Sequence, residues 1–368
     1  MLKSHLFFQV FVCLSVIGLG SINTSNVNAL ESFMKPTILI TGGAGYIGSH
    51  TAYILTKQGY PVVVIDLDIE KNKVPGVVYI KGDCGDKFLL EKIFAQYPID
   101  AVMHFAAFIE VGESVKNPLK FYENNVAKPI ALLQTMCVHG VKKFIFSSSC
   151  AVYGIPELLP LAEAHGKKPI SPYGKTKLMV EMVLEDLSKS HGLQYVALRY
   201  FNAAGALPEH NLGERHTPES HIIPLLLRAA HNGKPFNVFG TDYPTTDGTC
   251  IRDYLHVLDI ADAHVRALDY LNVGGKSDYF NLGTGNGFSV NHMIAVVEKV
   301  TGKKVNVRYG QRRAGDPAVL VANPEKVKAV LGWEQKHSDL EGMVRDAYEF
   351  DQSYFWCKQS QKNVQSMV

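Results

Sequence analysis

Short apolar segments alternate with amphipathic segments from residue 37 to residue 201. Six segments are apolar at nearly every position: TILI, PVVVID, GVVYIKGD, DAVMHFAA, KKFIFSSS and LQYVALRYF. Strands that are apolar on both faces are typical of a parallel sheet covered by helices. The amphipathic segments lie at about residues 47–58, 86–96, 118–139 and 171–191. This alternation predicts an α/β fold with a doubly wound, Rossmann-type parallel sheet.

The pattern changes after about residue 205, where shorter elements are separated by Pro, Gly and His. We therefore expect a larger domain at 34–204 and a smaller, mixed α/β region mainly at 205–355, with a tail at 356–368. Helical periodicity returns at 258–273 and 289–301. Parts of 240–290, including the first of these helices, are expected to cross back to the larger domain.

Residues 1–33 resemble a signal peptide, with Lys3, a following apolar run, and small residues at Val27 and Ala29. The apolar run is too short for a confident membrane span. Met34 directly precedes the first predicted strand, as in a protein that begins there. This favours an alternative start over export, so we expect a cytoplasmic protein whose folded part lies outside the membrane.

Composition narrows the classes of partner. The chain has 368 residues, 46% of them hydrophobic, which is enough to bury a full core. The formal net charge of +2, without a long basic run, argues against nucleic-acid binding. Six scattered cysteines form no CxxC motif, and the 14 histidines include no HExxH motif. No metal site is therefore expected.

Three glycines at the end of the first predicted strand indicate a dinucleotide site. Gly42, Gly45 and Gly48 would allow a tight turn, close approach of a pyrophosphate, and close packing of the next helix. A helix N-terminus also favours an anion. Asp66, at the end of the second strand, is placed to bind a ribose diol and to repel a 2′-phosphate, which favours NAD over NADP. Asp83, after the third strand, is as consistent with a turn as with an adenine contact.

A second group of residues suggests acid–base chemistry. Ser147, Ser148 and Ser149 end the fifth predicted strand, at the sheet edge where ligands of such folds bind. Tyr173 and Lys177 follow, one helical turn apart. A neighbouring ammonium group stabilises a phenolate, so the pair predicts a tyrosine with a lowered pKa that serves as a base.

Taken together, these motifs resemble the extended short-chain dehydrogenase/reductase family, and within it the nucleotide-sugar 4-epimerases. The resemblance extends from Met34 to about residue 350. Its matching stretches are TGGAGYIGSH, HFAA, VGES, NPLKFYENNV, FSSSCAVYG, SPYGKTKLMVE, LRYFNAAGA, DYPTTDGTCIRDYLHVLDIADAH, NLGTGNGFSV and RRAGDPA.

The resemblance implies roles for individual residues. Tyr173 would be the base and acid, Lys177 would hold the nicotinamide ribose and tune Tyr173, and Ser149 would orient the sugar 4-OH. The NAD site would comprise Gly42, Gly45, Tyr46, Ile47, Gly48, Asp66, Asp83, Phe105, Ala106, Ala107, Asn124, Lys177 and Tyr200. The UDP-sugar site would comprise Ser149, Tyr173, Asn202, Arg252, Arg313, Asp316 and Leu320.

The implied activity is interconversion of UDP-galactose and UDP-glucose through a transient 4-keto sugar and bound NAD. Leu320 stands where residue size controls access of the sugar C2 substituent, so UDP-GlcNAc/UDP-GalNAc epimerisation, alone or as a second activity, is an alternative. His221 replaces an asparagine that often contacts substrate. The resemblance also implies a homodimer that pairs helices at about 118–139 and 171–191.

Two further alternatives are more distant. A nucleotide-sugar 4,6-dehydratase would need an acid pair after Ser149, where this chain has Cys150 and Ala151. A non-enzymatic NAD-binding sensor would have no need of Tyr173 and Lys177.

Overall fold

The computed structural model of the chain describes residues 35–313 and 316–365. Its strands are β1 (Thr37–Thr41), β2 (Val62–Asp66), β3 (Val78–Lys81), β4 (Ile99–His104), β5 (Lys143–Ser149), β6 (Gln194–Tyr200), β7 (Asn202–Ala204), β8 (Phe236–Phe239), β9 (Ile251–Arg252), β10 (Tyr254–His256), β11 (Asp278–Leu282), β12 (Phe288–Ser289), β13 (Val307–Gly310) and β14 (Val319–Leu320).

The helices alternate with these strands in the first half of the fold. They are α1 (Tyr46–Lys57), α2 (Lys87–Gln96), α3 (Val111–Lys116), α4 (Pro118–Tyr122), α5 (Lys128–Val138), α6 (Pro172–His191), α7 (Ile222–Asn232), α8 (Val257–Asn272), α9 (Val290–Thr301), α10 (Glu325–Leu331) and α11 (Leu340–Gln365).

Seven strands form a parallel sheet in the order β3-β2-β1-β4-β5-β6-β11. The strand order reverses between β1 and β4, which is the switch point where ligands of doubly wound sheets bind. Side chains alternate between the two faces of each strand. In β1, Ile38 and Ile40 enter one core cluster and Leu39 enters the other. The predicted fold class is confirmed.

Helices cover both faces of the sheet. Leu55 of α1 and Ile260 of α8 pack in one core cluster, whereas Leu90 of α2, Leu132 of α5 and Val180 of α6 pack in the other. Since α8 leads into β11, the chain completes the large sheet only after the irregular region. The seventh strand was not among those predicted from the sequence.

The helix expected over 118–139 is interrupted. Helices α4 and α5 are separated by a π-helical turn, Glu123–Ala127, which contains Asn124. Single π-helical turns occur often at functional sites. This turn places Asn124 opposite the end of β3, as its contacts described below indicate.

Small sheets form the rest of the fold. Strand β9 pairs with β12 and β14, β10 pairs with β7, and β13 pairs with β8. A third core cluster joins α7, α9 and α11. This agrees with the predicted smaller mixed α/β region, while the domain boundaries remain a prediction. No helix among the described residues is both long and apolar enough to cross a bilayer. The signal-like segment lies outside those residues.

Candidate active site

The glycine-rich loop leaves its backbone open to a ligand. Gly42 has a φ of +71°, and a Cβ there would lie 2.6 Å from the nitrogen of Ala106. A Cβ on Gly48 would lie 2.4 Å from the carbonyl oxygen of Gly42. At Gly45, by contrast, only the Gly42 oxygen lies within 4 Å of an added Cβ, at 3.1 Å. Gly45 caps α1 without a side-chain hydrogen bond, so the helix N-terminus suits an anionic ligand.

Asp66 lies beside this loop at the end of β2. One carboxylate oxygen accepts a hydrogen bond of 3.0 Å from the nitrogen of Ala44, and the other accepts one of 3.1 Å from Asp68. The carboxylate remains partly accessible. Its position is the one that the sequence predicts for a ribose-binding acid.

Asp83 and Asn124 are joined by a lysine that was not predicted. Lys128 lies 2.7 Å from the Asp83 carboxylate and donates a hydrogen bond of 3.0 Å to the side-chain oxygen of Asn124. Asp83 also accepts a hydrogen bond of 2.8 Å from the nitrogen of Gly85. Burial alone would raise the pKa of Asp83, but Lys128 and the Gly85 amide lower it. Asp83 therefore forms a turn and belongs to a polar cluster with Asn124.

The residues after β4 also lie beside the glycine loop. The backbone nitrogens of Phe105 and Ala106 both donate to the oxygen of Thr41, and Ala107 follows them. The ring of Phe105 packs 4.6 Å from that of His264 on α8. Next to the loop, Ile47 packs against the core, while the Tyr46 hydroxyl donates a hydrogen bond of 2.5 Å to the oxygen of Gly205.

Helix α6 brings Tyr173 and Lys177 to the end of β5. Ser171 caps the helix by accepting a hydrogen bond of 3.1 Å from the nitrogen of Gly174. A Cβ added to Gly174 would lie only 2.5 Å from the oxygen of Ala151. This close approach seats the helix on the turn that follows Ser149. Lys177 Nζ donates a hydrogen bond of 2.7 Å to the oxygen of Ser147 and lies 5.9 Å from the centre of the Tyr173 ring.

The electrostatics of this pair differ from the sequence prediction. Burial raises the pKa of Tyr173 well above its usual value of 10, with Tyr200 acting in the same direction and the Ser149 hydroxyl opposing it. Burial likewise lowers the pKa of Lys177 to about 7, against the opposing effect of Glu181. The predicted lowering of the Tyr173 pKa is not seen because burial disfavours the charged forms of both side chains.

A buried ion pair that was not predicted from the sequence joins β6 to α6 next to the site. Arg199 of β6 binds the Glu181 carboxylate of α6 through two hydrogen bonds of 2.8 and 2.6 Å. Both side chains are fully buried. Glu181 also accepts a hydrogen bond of 2.7 Å from Ser148, and Arg199 donates one of 2.9 Å to Tyr153. In the sequence, only one feature indicated this buried pair: the charged residue Arg199 lies within the otherwise apolar segment YVALRYF.

The other two serines complete the end of β5. The Ser147 hydroxyl hydrogen-bonds with the Tyr200 hydroxyl, and the Ser149 hydroxyl accepts a hydrogen bond of 3.2 Å from the nitrogen of Ala151. Burial raises the pKa of Tyr200 to about 12. The end of β5 therefore contacts Tyr173, Lys177 and Tyr200, three of the predicted site residues.

The predicted substrate residues form a second group. Arg252 lies 3.6 Å from the Asp316 carboxylate, and Arg313 donates a hydrogen bond of 3.1 Å to the same group. Leu320 pairs with Arg252 in the register of β14 and β9. Asn202 donates a hydrogen bond of 2.8 Å to the oxygen of Asp253.

This second group approaches the end of β5. Burial raises the pKa of the Cys150 thiol to about 12, and the charge of Arg252 acts in the opposite direction. Leu320 packs against the same small core cluster as Cys150. Arg252 and Leu320 therefore lie near Cys150, the residue that follows Ser149.

Known proteins resemble the chain over most of its length. The model of the NAD dependent epimerase/dehydratase family matches residues 38–283. The UDP-glucose 4-epimerase of Rhizobium meliloti (strain 1021) is 49% identical over 316 residues, which are 85% of this chain and 96% of the relative.

Two solved structures agree. The UDP-glucose 4-epimerase of Brucella ovis in complex with NAD is 44% identical, with a TM-score of 0.81, over 85% of this chain and 97% of that one. The enzyme of Stenotrophomonas maltophila, with bound NAD and formylated UDP-arabinopyranose, is 40% identical, with a TM-score of 0.83, over 88% and 99%. The chain therefore belongs to the NAD dependent epimerase/dehydratase family. All three relatives are UDP-glucose 4-epimerases, so the family recognised from the sequence motifs is confirmed.

Proposed function

We propose that the chain is an NAD-dependent 4-epimerase that interconverts UDP-galactose and UDP-glucose. The observation that carries the proposal is the position of Tyr173 and Lys177 at the end of β5, beside Ser149, in a dinucleotide-binding fold. The relatives named above carry this activity in their names, and two of them were crystallised with NAD.

The residues present fit NAD. The glycine loop has no side chain at the position where a pyrophosphate would approach the N-terminus of α1, and Asp66 stands at the end of the next strand. Asp83 and Asn124 would line the adenine end, and Phe105, Ala106 and Ala107 the side of the loop. Lys177 and Tyr200 would hold the nicotinamide end. Bound NAD supplies the reversible hydride acceptor that oxidation of the sugar at C4 requires.

Tyr173 removes the proton from the sugar 4-OH and later returns it. A phenolate alone is unfavourable in this buried position, as the raised pKa of Tyr173 indicates. Lys177, whose pKa is lowered to about 7, changes charge near neutral pH. When Lys177 is protonated, its charge favours the phenolate, and that attraction is stronger in a buried site than in water. Ser149 orients the hydroxyl group that reacts.

Arg252 and Arg313 hold the nucleotide while the sugar turns over and presents its other face. The Arg252 guanidinium is fixed by hydrogen bonds to the backbone oxygens of Ile251 and Pro317. Arg313 is more exposed and contacts the other carboxylate oxygen of Asp316. Two guanidinium groups at one carboxylate suit a diphosphate, which each can bind through paired hydrogen bonds. The transient 4-keto sugar turns about this fixed diphosphate.

The test is a turnover assay on the full chain without added NAD. UDP-galactose and UDP-GalNAc are incubated separately, and the products are separated by chromatography. We expect UDP-glucose from the first substrate, and a loss of about 10²–10⁴-fold in rate for Tyr173→Phe. Tyr309→Phe, at an exposed tyrosine, is the matched control and should keep full activity. Failure of the native chain to convert either substrate, even with NAD supplied, would exclude the epimerase and return the dehydratase and sensor alternatives.

UDP-N-acetylhexosamines are the second candidate substrates. Leu320 lies beside Arg252 and is only partly buried, so it adjoins the proposed sugar site. A leucine is intermediate in size between the residues that close and open such a pocket. Product from UDP-GalNAc in the same assay would make the enzyme bifunctional.

We also infer that two copies pair through α5 and α6. Leu132 and Leu133 are buried within the chain's own core, whereas Val138 is 77% exposed and Met182 is 54% exposed. Exposed apolar side chains on these two helices fit the predicted four-helix contact. Light scattering should give the mass of a dimer, and Met182→Glu should reduce it to that of one chain.

We propose a cytoplasmic location, because the cytoplasm contains both the cofactor and nucleotide sugars. Cell fractionation with an antibody against the chain tests this directly. Recovery in the exported fraction would instead support a functional signal peptide at 1–33.

A further inference from the structure

Four potential metal ligands meet in the segment that leads into α7. They are Glu214, His216, Glu219 and His221, and one ligand atom from each lies within 4.8 Å of the others. The side chains of Glu214 and Glu219 are 8% and 1% exposed. Two carboxylates are therefore buried next to two imidazole groups, and none of the four residues belongs to the proposed NAD or UDP-sugar sites.

The four side chains point at one another without completing a hydrogen-bond network. His216 Nδ1 lies 2.8 Å from Glu214 Oε1 and 3.7 Å from Glu219 Oε1, and His221 Nδ1 also contacts Glu214 Oε1. None of these contacts, the 2.8 Å one included, has both the distance and the angles of a hydrogen bond, so among the described residues Glu214 Oε1, Glu219 Oε2 and both Nδ1 atoms are buried polar atoms without a well-formed hydrogen bond. Buried polar atoms nearly always have a partner, so this many orphans in one place indicate a missing one.

Arg228 does not replace that partner. The Arg228 guanidinium approaches Glu219 only to 3.8 Å. That contact exceeds hydrogen-bond distance and reaches only one of the two carboxylates. A cation placed between the four ligand atoms would satisfy all of them together.

We propose that Glu214, His216, Glu219 and His221 bind one divalent transition-metal ion, and that Zn²⁺ is the best fit. Imidazole nitrogens and carboxylate oxygens are ordinary zinc ligands, at about 2.0–2.2 Å from the ion. Tetrahedral coordination at those distances separates neighbouring ligand atoms by roughly 3.3 Å. The ligand atoms here lie within 4.8 Å of one another, so movements of the side chains would bring them to that spacing. Four protein ligands make it a closed, structural site.

The position suggests that the ion links two parts of the fold. Gly213, next to Glu214, accepts a hydrogen bond of 3.1 Å from Asn72, which also donates to the oxygen of Ala44 in the glycine loop. His221, at the other end of the cluster, is the N-cap residue of α7. The ion would therefore join the neighbourhood of the cofactor loop to α7.

This site differs from the expectation of no metal. That expectation rested on the absence of Cys/His and HExxH motifs, whereas these ligands follow the spacing Glu-X-His-X-X-Glu-X-His. His221 is also the residue that replaces an expected substrate-binding asparagine. Its contact with Glu214 gives it a place in the cluster instead.

The test measures bound metal on the full chain, purified without a histidine tag. After incubation with Zn²⁺ and dialysis, mass spectrometry should find about one zinc ion per chain. His216→Ala and His221→Ala should bind close to none. His139→Ala is the matched control, since His139 pairs with Glu91 elsewhere on the surface, and it should retain the ion. The temperature of unfolding should fall on chelation and recover when Zn²⁺ is added back.

Glu219→Gln keeps the shape of the site if the histidine variants fail to fold, and it should also lose zinc. Co²⁺ provides a second readout, because tetrahedral Co²⁺ has a characteristic visible absorption. Native protein without stoichiometric zinc, or zinc retained by Glu219→Gln with an unchanged Co²⁺ spectrum, would overturn the proposal and leave an ion-pair cluster. None of these readouts depends on epimerase activity, so the two proposals fail independently.

Discussion

Lys177 Nζ donates a hydrogen bond of 2.7 Å to the carbonyl oxygen of Ser147, which fixes α6 against the end of β5. The contact spans 30 residues of sequence and sets the position of Tyr173, one turn earlier on the same helix. Lys177 is thus both a positioning residue and a charge beside the proposed base.

Lys177→Met should lower turnover of UDP-galactose by about 10²-fold or more, because it removes that charge. It should also change the pH dependence of stability. Burial lowers the pKa of Lys177 from 10.5 to about 7 in the folded chain, so between those values the unfolded chain binds the extra proton. The free energy of unfolding of the native protein should therefore rise with pH relative to the variant, by at most about 1.4 kcal/mol per unit. Denaturant unfolding of both proteins at pH 7 and pH 9 tests this. An equal change in the free energy of unfolding with pH for the native protein and the variant would contradict it.

Gly48→Ala should destabilise the glycine loop by about 1–3 kcal/mol and release NAD, because the new methyl group would meet the Gly42 oxygen at 2.4 Å. Gly112→Ala is the control, since an added Cβ there has no atom within 4 Å. Unfolding in urea and the cofactor content of the purified proteins are the measurements. Similar cofactor content in the two variants would argue against the assigned role of the loop.

Glu181→Gln should cost about 3–5 kcal/mol of stability, because it leaves the Arg199 guanidinium buried without a countercharge. The corresponding change at an exposed ion pair, Glu157→Gln beside Lys168, should cost far less, because water solvates both of those charges. Both can be read from chemical denaturation. If the two changes cost the same, the buried pair is not a major support of the site.

Leu320→Tyr should lower kcat/KM for UDP-GalNAc by about 10-fold or more while changing that for UDP-galactose only a few-fold. The larger ring would fill the space beside Arg252 where the C2 substituent would lie. Comparing both substrates on one preparation removes errors in enzyme concentration. An equal loss for the two substrates would place Leu320 outside the C2 pocket.

Local patterns were sufficient to predict the first six strands of the large sheet. Val62–Asp66 and Lys143–Ser149 are continuous apolar runs, and both are strands within the sheet. Strand β11 was harder to predict because 77 residues separate it from β6. Its sequence, DYFNL, also contains only two strongly apolar residues, Phe280 and Leu282. Its pairing depends on α8 packing across α1, which no local pattern specifies.

The sequence indicated which residue types lie together at the candidate site, but not their electrostatics. The spacing of Tyr173 and Lys177 indicates that they share a helix face, but it does not indicate how deeply that face is buried. Burial determines the direction of both pKa changes. The Glu181–Arg199 pair and the cluster around Glu214 depend on residues that approach one another only in the folded chain, or on a spacing that matches no familiar motif.

The central claim is that the chain oxidises and reduces the sugar at C4 while Tyr173 handles only the hydroxyl proton. Deuterium placed at C4 of UDP-galactose tests it most directly. With the full chain in ordinary water and no added NAD, the UDP-glucose product should keep the deuterium at C4, because that hydrogen never exchanges with solvent. Replacement of the label by hydrogen from water would contradict the proposed mechanism.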